Sequence, residues 1–297
     1  MTVPTVEAVP AYRPFAATAV RVQRLTPSFV RVTFGGADLD EFASGGLDQR
    51  IKVLFPLPGR GLIDCPSGAD WYGEWRALPA DRRNPIRTYT VRASRPAERE
   101  VDVDFVVHDG ATGPAGAWAL AARPGDEVVL IGPNARYAGD TGGIEWRPPA
   151  GRAHLLVAGD ETAVPAICAI AEALPADAVG QVFLEVPSAD DVLPVRAPDG
   201  VGVTWLPRGA LARGELLGAA VTGAALPQPT VEDDDEAALP WDVPPDDVIT
   251  ASAERYVWLA GEAGVVTGLR RRLLADTGLD RAAVAFMGYW KEGRASV

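Results

Sequence analysis

Four consecutive residues, Arg87, Thr88, Tyr89 and Thr90, bring three chemistries into one β-type run spanning 86–92. The Arg87 guanidinium can grip a phosphate with a planar, bidentate fork. Tyr89 offers a flat ring with a polar tip, and the Thr90 hydroxyl both donates and accepts. In an extended strand, residues two apart share a face, so Arg87 and Tyr89 point the same way. One face then presents a phosphate clamp beside a stacking platform. That suits a ligand with a flat ring and a phosphate tail, such as a flavin nucleotide. The same residue types also make an ordinary strand with one solvated arginine, so other parts of the chain must decide.

Downstream, Gly113-Pro114-Ala115-Gly116-Ala117-Trp118 opens a short helix with small residues. Free backbone N–H groups at a positive dipole end can carry a pyrophosphate; a plain Gly-Pro turn is the alternative. His108 ends the preceding run, either as a cofactor contact or as a polar strand terminus. In the second half, Ala158-Gly159-Asp160-Glu161-Thr162-Ala163 sets a glycine between a strand and a helix. Open α/β sheets bind ligands at such turns, although Thr162 also suits a helix N-cap. Asp160 and Glu161 place negative charge where a coenzyme pyrophosphate would rest, and no Gly-x-Gly-x-x-Gly fingerprint occurs there. Ala260-Gly261-Glu262-Ala263 repeats the arrangement, so two such turns predict a crevice at the sheet edge.

The 297 residues suffice for two domains and a sizeable core. A net charge of −12 excludes non-specific binding to nucleic acid or anionic membrane. No apolar run reaches the length of a membrane span, and residues 1–14 lack a basic stretch followed by an apolar one. Cytoplasm is the expected location. Two cysteines and two histidines are too few for a disulfide framework or a metal site. Cys168, in an apolar helical pattern, reads as a buried small hydrophobe. Lys52 and Lys291 are the only lysines; every other basic side chain is Arg.

Short β-rich runs at 17–25, 29–34, 50–55, 86–92, 101–108 and 127–131, parted by Gly, Pro and Asp turns, predict a six-stranded antiparallel barrel. The domain expected for it covers 1–137. Residues 138–151 read as a linker. Residues 152–297 alternate strand and helix, with strands at 153–158, 179–186, 201–206, 256–260 and 282–289 and helices at 162–174, near 209–220 and at 265–276. This predicts an α/β domain with a mostly parallel sheet. Residues 226–250 hold five prolines and eight acidic residues with no basic one, and read as an exposed, mobile insertion or an acidic docking surface.

Taken together, Arg87-Thr-Tyr-Thr, the 108–119 segment, Ile131-Gly-Pro, Gly159-Asp-Glu-Thr-Ala163, Trp258-Leu-Ala-Gly-Glu-Ala263 and Gly288-Tyr-Trp-Lys-Glu-Gly293 resemble the siderophore-interacting proteins. The resemblance runs from about 16 to 294. It implies a ferredoxin-reductase-like flavoprotein with non-covalent FAD that reduces ferric siderophores, with no acid–base residue. By matching position, Arg87, Thr88, Tyr89 and Thr90 would hold the flavin and its phosphates. His108 and the Gly113, Pro114, Ala115, Gly116 and Trp118 turn would bind the remainder. Asp160, Thr162 and Ala163 would approach from the second domain. Lys52, Lys291 and, as a third member, Arg136 would receive the anionic siderophore. NADH or NADPH is the implied donor, and a ferredoxin the alternative. Gly116 departs from the Ser often found in relatives. A flavin reductase with another acceptor and a non-catalytic siderophore binder are the competing readings.

Overall fold

Runs of Val, Phe, Ile and Thr that alternate inward and outward need a partner face to bury, and in the first half they find it by closing on themselves. The computed structural model describes residues 9–107, 113–149, 154–222, 240–244, 255–277 and 279–293. His108 and most of the acidic 226–250 stretch lie outside these residues.

Strands β1 (Tyr12–Arg24), β2 (Phe29–Gly35), β3 (Arg50–Leu54), β4 (Ile86–Arg95), β5 (Glu100–Val106) and β6 (Glu127–Pro133) form a closed barrel in the order β1-β2-β5-β4-β3-β6. All its pairings are antiparallel. The long β1 closes it, pairing β6 with its first half and β2 with its second. It starts at Tyr12 rather than 17. Pro14 weakens the strand signal there, yet Phe15 is fully buried and anchors that end. Phe15, Val32, Phe34, Val53, Phe105 and Leu130 fill the interior, following the two-residue alternation of their strands.

Among the described residues, two α-helices belong to this half. Helix α1 (Trp71–Ala77) lies between β3 and β4, and α2 (Pro114–Ala121) follows β5. Composition alone gave no sign of α1. Its local signals are Asp70, which accepts from Gly73 N as N-cap, and two tryptophans four apart. Trp75 packs on Leu54, Ile86 and Ile131.

The second half contains β7 (His154–Gly159), α3 (Val164–Ala173), β8 (Val179–Val186), β9 (Val201–Pro207), α4 (Glu215–Thr222), β10 (Trp241–Asp242), β11 (Arg255–Glu262), α5 (Ala263–Thr277) and β12 (Val284–Trp290). The sheet order is β10-β12-β11-β7-β8-β9, parallel except for β10. Within the stretch read as an exposed, mobile insertion, Trp241 and Asp242 form this short strand and pair with Met287 and Phe286. Among the described residues, no helix is long and apolar enough to cross a membrane.

The halves meet over a continuous apolar surface. Phe29 of the barrel is buried in the same cluster as Leu155, Ile167, Val186 and Trp258. Helix α3 lies against the barrel as well as the sheet, which explains why almost all of its residues are buried. Cys168 on it is buried as expected, and burial pushes its thiol up to about 12. The stretch read as a linker is pinned on both sides. Asp48 accepts from Trp146 N at 3.1 Å and from Glu145 N at 3.0 Å. Trp146 then packs edge-on against Tyr256, with ring centroids 5.3 Å apart.

Asp191 clasps the far end of the interface. One carboxylate oxygen accepts from Thr26 Oγ1 (2.9 Å) and Ser28 N (2.8 Å); the other accepts from Ser28 Oγ (3.1 Å), Ser188 N (3.1 Å) and Ser188 Oγ (2.9 Å). Asp191→Asn would turn an amide donor toward the Ser188 N–H. A loss of about 1–2 kcal/mol in urea unfolding is expected.

Candidate functional site

The β3–β4 ladder sorts the candidate side chains onto two faces. Arg87 and Tyr89 stand opposite Val53 and Ile51, whose side chains are buried; Thr88 and Thr90 stand opposite Lys52 and Arg50. The Tyr89 ring leans on Phe105 with centroids 4.5 Å apart, and burial pushes its phenol well above the usual range. Arg87 donates to the Ile86 carbonyl at 2.7 Å, and no carboxylate among the described residues pairs with it. The β4–β5 ladder begins only at Val91. The edge of Arg87, Thr88, Tyr89 and Thr90 that faces β5 is therefore free of strand pairing.

Helix α2 opens at Gly113 with no side-chain cap, which leaves first-turn N–H groups for a ligand. Its side chains do not point to the same use. Trp118 stacks on Phe34 (6.0 Å, 19° between planes) and lies 5.3 Å from Phe55, filling the barrel mouth. Ala115 is buried. The Trp118 ring, half-buried, thus packs on the barrel aromatics, as the Tyr89 ring does. An unpaired guanidinium, an open strand edge and an uncapped helix start fit a phosphate-bearing flavin.

The two sheet-edge turns stand side by side at the ends of β7 and β11, and a buried carboxylate ties them together. Asp160 accepts from Thr162 N (2.9 Å), Thr162 Oγ1, Glu262 N (2.8 Å) and Trp290 Nε1 (3.0 Å). Gly261 faces it at φ +147°, where a Cβ would come within 2.8 Å of the Asp160 carboxyl. Asp160 is thus occupied in shaping the turn, contrary to a direct cofactor contact. Its pKa is raised, first by burial and then by the neighbouring Glu161 charge. Thr162 does not cap α3, whose N-cap is Ala163, because its hydroxyl is spent on Asp160.

Glu161 is fully buried and held by two arginines. Arg208 reaches it through both Nη atoms, at 2.8 and 3.0 Å, and Arg213 through Nη1. The Arg213 guanidinium also lies over the Trp290 ring, 4.6 Å from its centroid. The charge of Glu161 at this turn is therefore neutralised from within.

The basic candidates separate. Lys52 lines an open pocket of about 260 Å³ with Tyr12, Arg50, Trp71, Thr88 and Gly143. Its Nζ donates to Thr88 Oγ1 at 3.2 Å. Lys291 follows β12 directly, two residues beyond Tyr289, whose ring stacks on Trp241. Arg136 is elsewhere: exposed and bound through Nε (2.8 Å) and Nη2 to Glu41. The structure does not bring it to the pocket. Arg50, two residues before Lys52 on the same strand face, stands there instead; the Arg-x-Lys alternation was the signal for it.

Two family models match the chain: the siderophore-interacting FAD-binding domain over residues 18–137 and the siderophore-interacting protein domain over 152–293. Ferric vibriobactin reductase ViuB of Vibrio cholerae is 31% identical, the alignment covering 93% of this chain and 88% of that protein. The NADPH-dependent ferric-chelate reductase of Escherichia coli is 29% identical over 92% and 91%. The crystal structure of the siderophore-interacting protein SipS from Aeromonas hydrophila superposes with a TM-score of 0.70 at 28% identity, covering 96% of this chain and 94% of that one. Barrel, sheet and flavin-fitting edge together define an FAD-dependent oxidoreductase. Within that class, the chain belongs to the siderophore-interacting proteins.

Proposed function

We propose that this protein reduces ferric iron held in a siderophore, drawing electrons through FAD from NADPH or NADH, with a reduced ferredoxin as the other donor class. One observation carries the reading: strand β4 turns Arg87 and Tyr89 to one face and Thr88 to the other, where Lys52 and Arg50 line the open pocket. This arrangement would let a flavin site and an anion site share a strand. The names of the Vibrio cholerae and Escherichia coli relatives support the acceptor, and the latter supports NADPH.

Bound FAD supplies the coupling of a two-electron donor to a one-electron acceptor. The chain's own residues bind and orient. Arg87 and the first N–H groups of α2 would hold the phosphates, with Tyr89 and Thr90 beside the ring and Thr162 and Ala163 closing from the second domain. Lys52, Arg50 and Lys291 would hold the chelate's negative charge. Ferrous iron binds hard oxygen donors less tightly than ferric iron, so reduction releases it.

The test mixes purified protein with FAD, NADPH, a ferric tris(catecholate) and a ferrous-specific trap. Ferrous iron formed in step with flavin turnover is expected; a protein that neither retains flavin nor yields ferrous iron overturns the reading. Stopped-flow bleaching of the flavin by NADPH, NADH or reduced ferredoxin ranks the donors.

Lys52 adds a pH signature. Burial and then the Arg50 charge lower its pKa from 10.5. Rising pH therefore removes its charge earlier than for an ordinary lysine. The KM for an anionic chelate is expected to rise at a lower pH than the 10.5 of an ordinary lysine would dictate. Lys52→Arg, which stays charged, should flatten that rise in a KM–pH profile.

A further inference from the structure

Arg50 has an unusual setting for a surface arginine. Its backbone is fixed on both sides: its N–H donates to the Gly143 carbonyl at 2.7 Å, and its carbonyl accepts from Tyr12 Oη at 2.8 Å. Its side chain is held at two points. Nη2 bonds Glu145, and the guanidinium lies over the Trp241 ring, 4.2 Å from the centroid. Its Nε is buried with no hydrogen-bond partner among the described residues, a costly state for a charged donor unless something else meets it. Trp241 in turn stacks on Tyr289, with centroids 6.1 Å apart and planes at 18°. A three-layer sandwich of Arg50, Trp241 and Tyr289 thus runs from the barrel pocket to the last strand of the sheet. Strand β10, which carries Trp241, belongs to the acidic 226–250 stretch that composition marks as a mere insertion.

Glu145 pairs with this guanidinium, and the pocket keeps a net positive charge through Lys52. Lys52 stands two residues along the same face and has no carboxylate partner among the described residues. Two cations beside one pocket repel, which lowers the affinity of Lys52 for its proton and raises the pocket's affinity for an anion. The Trp241 ring contributes without adding negative charge: a cation over an aromatic face is attracted by the ring quadrupole, and the flat guanidinium is kept from swinging toward solvent.

We propose that Arg50, rather than Arg136, is the third cation of the chelate pocket, and that Trp241 of β10 is a positioning residue that holds it there. The inference rests on the ferric-chelate reading for its substrate class, yet binding can be tested without reduction. Trianionic gallium(III) tris(catecholate) has the shape and charge of the ferric complex and cannot be reduced. Uncharged iron(III) tris(acetohydroxamate) serves as the charge control.

With FAD-loaded full-length protein, Arg50→Gln is expected to weaken binding of the gallium complex by calorimetry about tenfold or more. It should raise the KM for iron(III) tris(catecholate) by a similar factor, with kcat little changed. Trp241→Ala should raise that KM about two- to fivefold, and Trp241→Phe should restore it. The KM for the uncharged hydroxamate should stay level in all three. A merely structural role for Trp241 would shift both substrates alike. The inference is overturned if Arg136→Gln, and not Arg50→Gln, weakens binding of the gallium complex, or if Trp241→Ala alters both chelates equally. If wild-type protein binds the gallium complex through Arg50 but reduces neither iron chelate, the ferric-reductase reading fails while the assignment of Arg50 stands.

Discussion

Arg87→Ala protein is expected to purify without flavin colour and still fold. Among the described residues, the Arg87 side chain makes one hydrogen bond, to the carbonyl of its own neighbour Ile86, and pairs with no carboxylate. Its removal costs the apo fold little. In the holoprotein the same guanidinium is free to clamp a phosphate with two parallel bonds. Charge-assisted bonds of this kind contribute about 1.5–3 kcal/mol each. Losing the pair would weaken FAD about a hundredfold or more. Arg87→Lys keeps the charge but not the fork, so its affinity should fall between the two. Flavin absorbance after gel filtration, followed by titration with added FAD, measures the order. An Arg87→Ala protein that keeps its flavin would remove this residue from the phosphate site. A protein that loses both flavin and thermal stability would show that Arg87 serves the barrel instead.

Local chemistry explains why this part of the site was legible. The strand alternation that sets Arg87 and Tyr89 on one face is a property of adjacent residues, and so is the small-residue opening of α2. The side-chain readings failed where the partner lies far along the chain. Arg136 carries the right charge, but Glu41, 95 positions earlier, takes it. Asp160 and Glu161 read as exposed negative charge because composition cannot show that Arg208 and Arg213 fold over Glu161 or that Trp290 caps Asp160. Trp118 follows a run of small residues, Gly113 to Ala117, while its ring answers to Phe34 and Phe55 across the barrel. Two described elements were missed for a different reason. Helix α1 and strand β10 are too short for periodicity to register, and each is held by tryptophan contacts rather than by propensity.

Glu161 is where that long-range pairing has its largest expected consequence for stability. Burial alone would raise its pKa; the hydrogen bonds of Arg208 and the charge and hydrogen bond of Arg213 outweigh it and hold the group at about 2, below the ordinary 4.5. Both arginines are themselves mostly covered, with side chains 10% and 19% exposed. Glu161→Ala leaves Arg213 without its carboxylate and Arg208 with only the longer pair to Glu185 at 3.8 Å, and a loss of about 3–5 kcal/mol is expected. Urea unfolding should show the midpoint falling with the slope unchanged. Adding Arg213→Ala to Glu161→Ala should recover part of the loss, since it removes one of the stranded charges. The pH dependence has a definite sign. A carboxylate whose folded pKa lies below its unfolded value stabilises the fold above pH 4.5 and loses that contribution as pH falls toward 2. The stability gap between wild type and Glu161→Ala should therefore be full near neutrality and narrow progressively below pH 4.5. A gap that stays constant across that range would mean that Glu161 acts by packing rather than by charge.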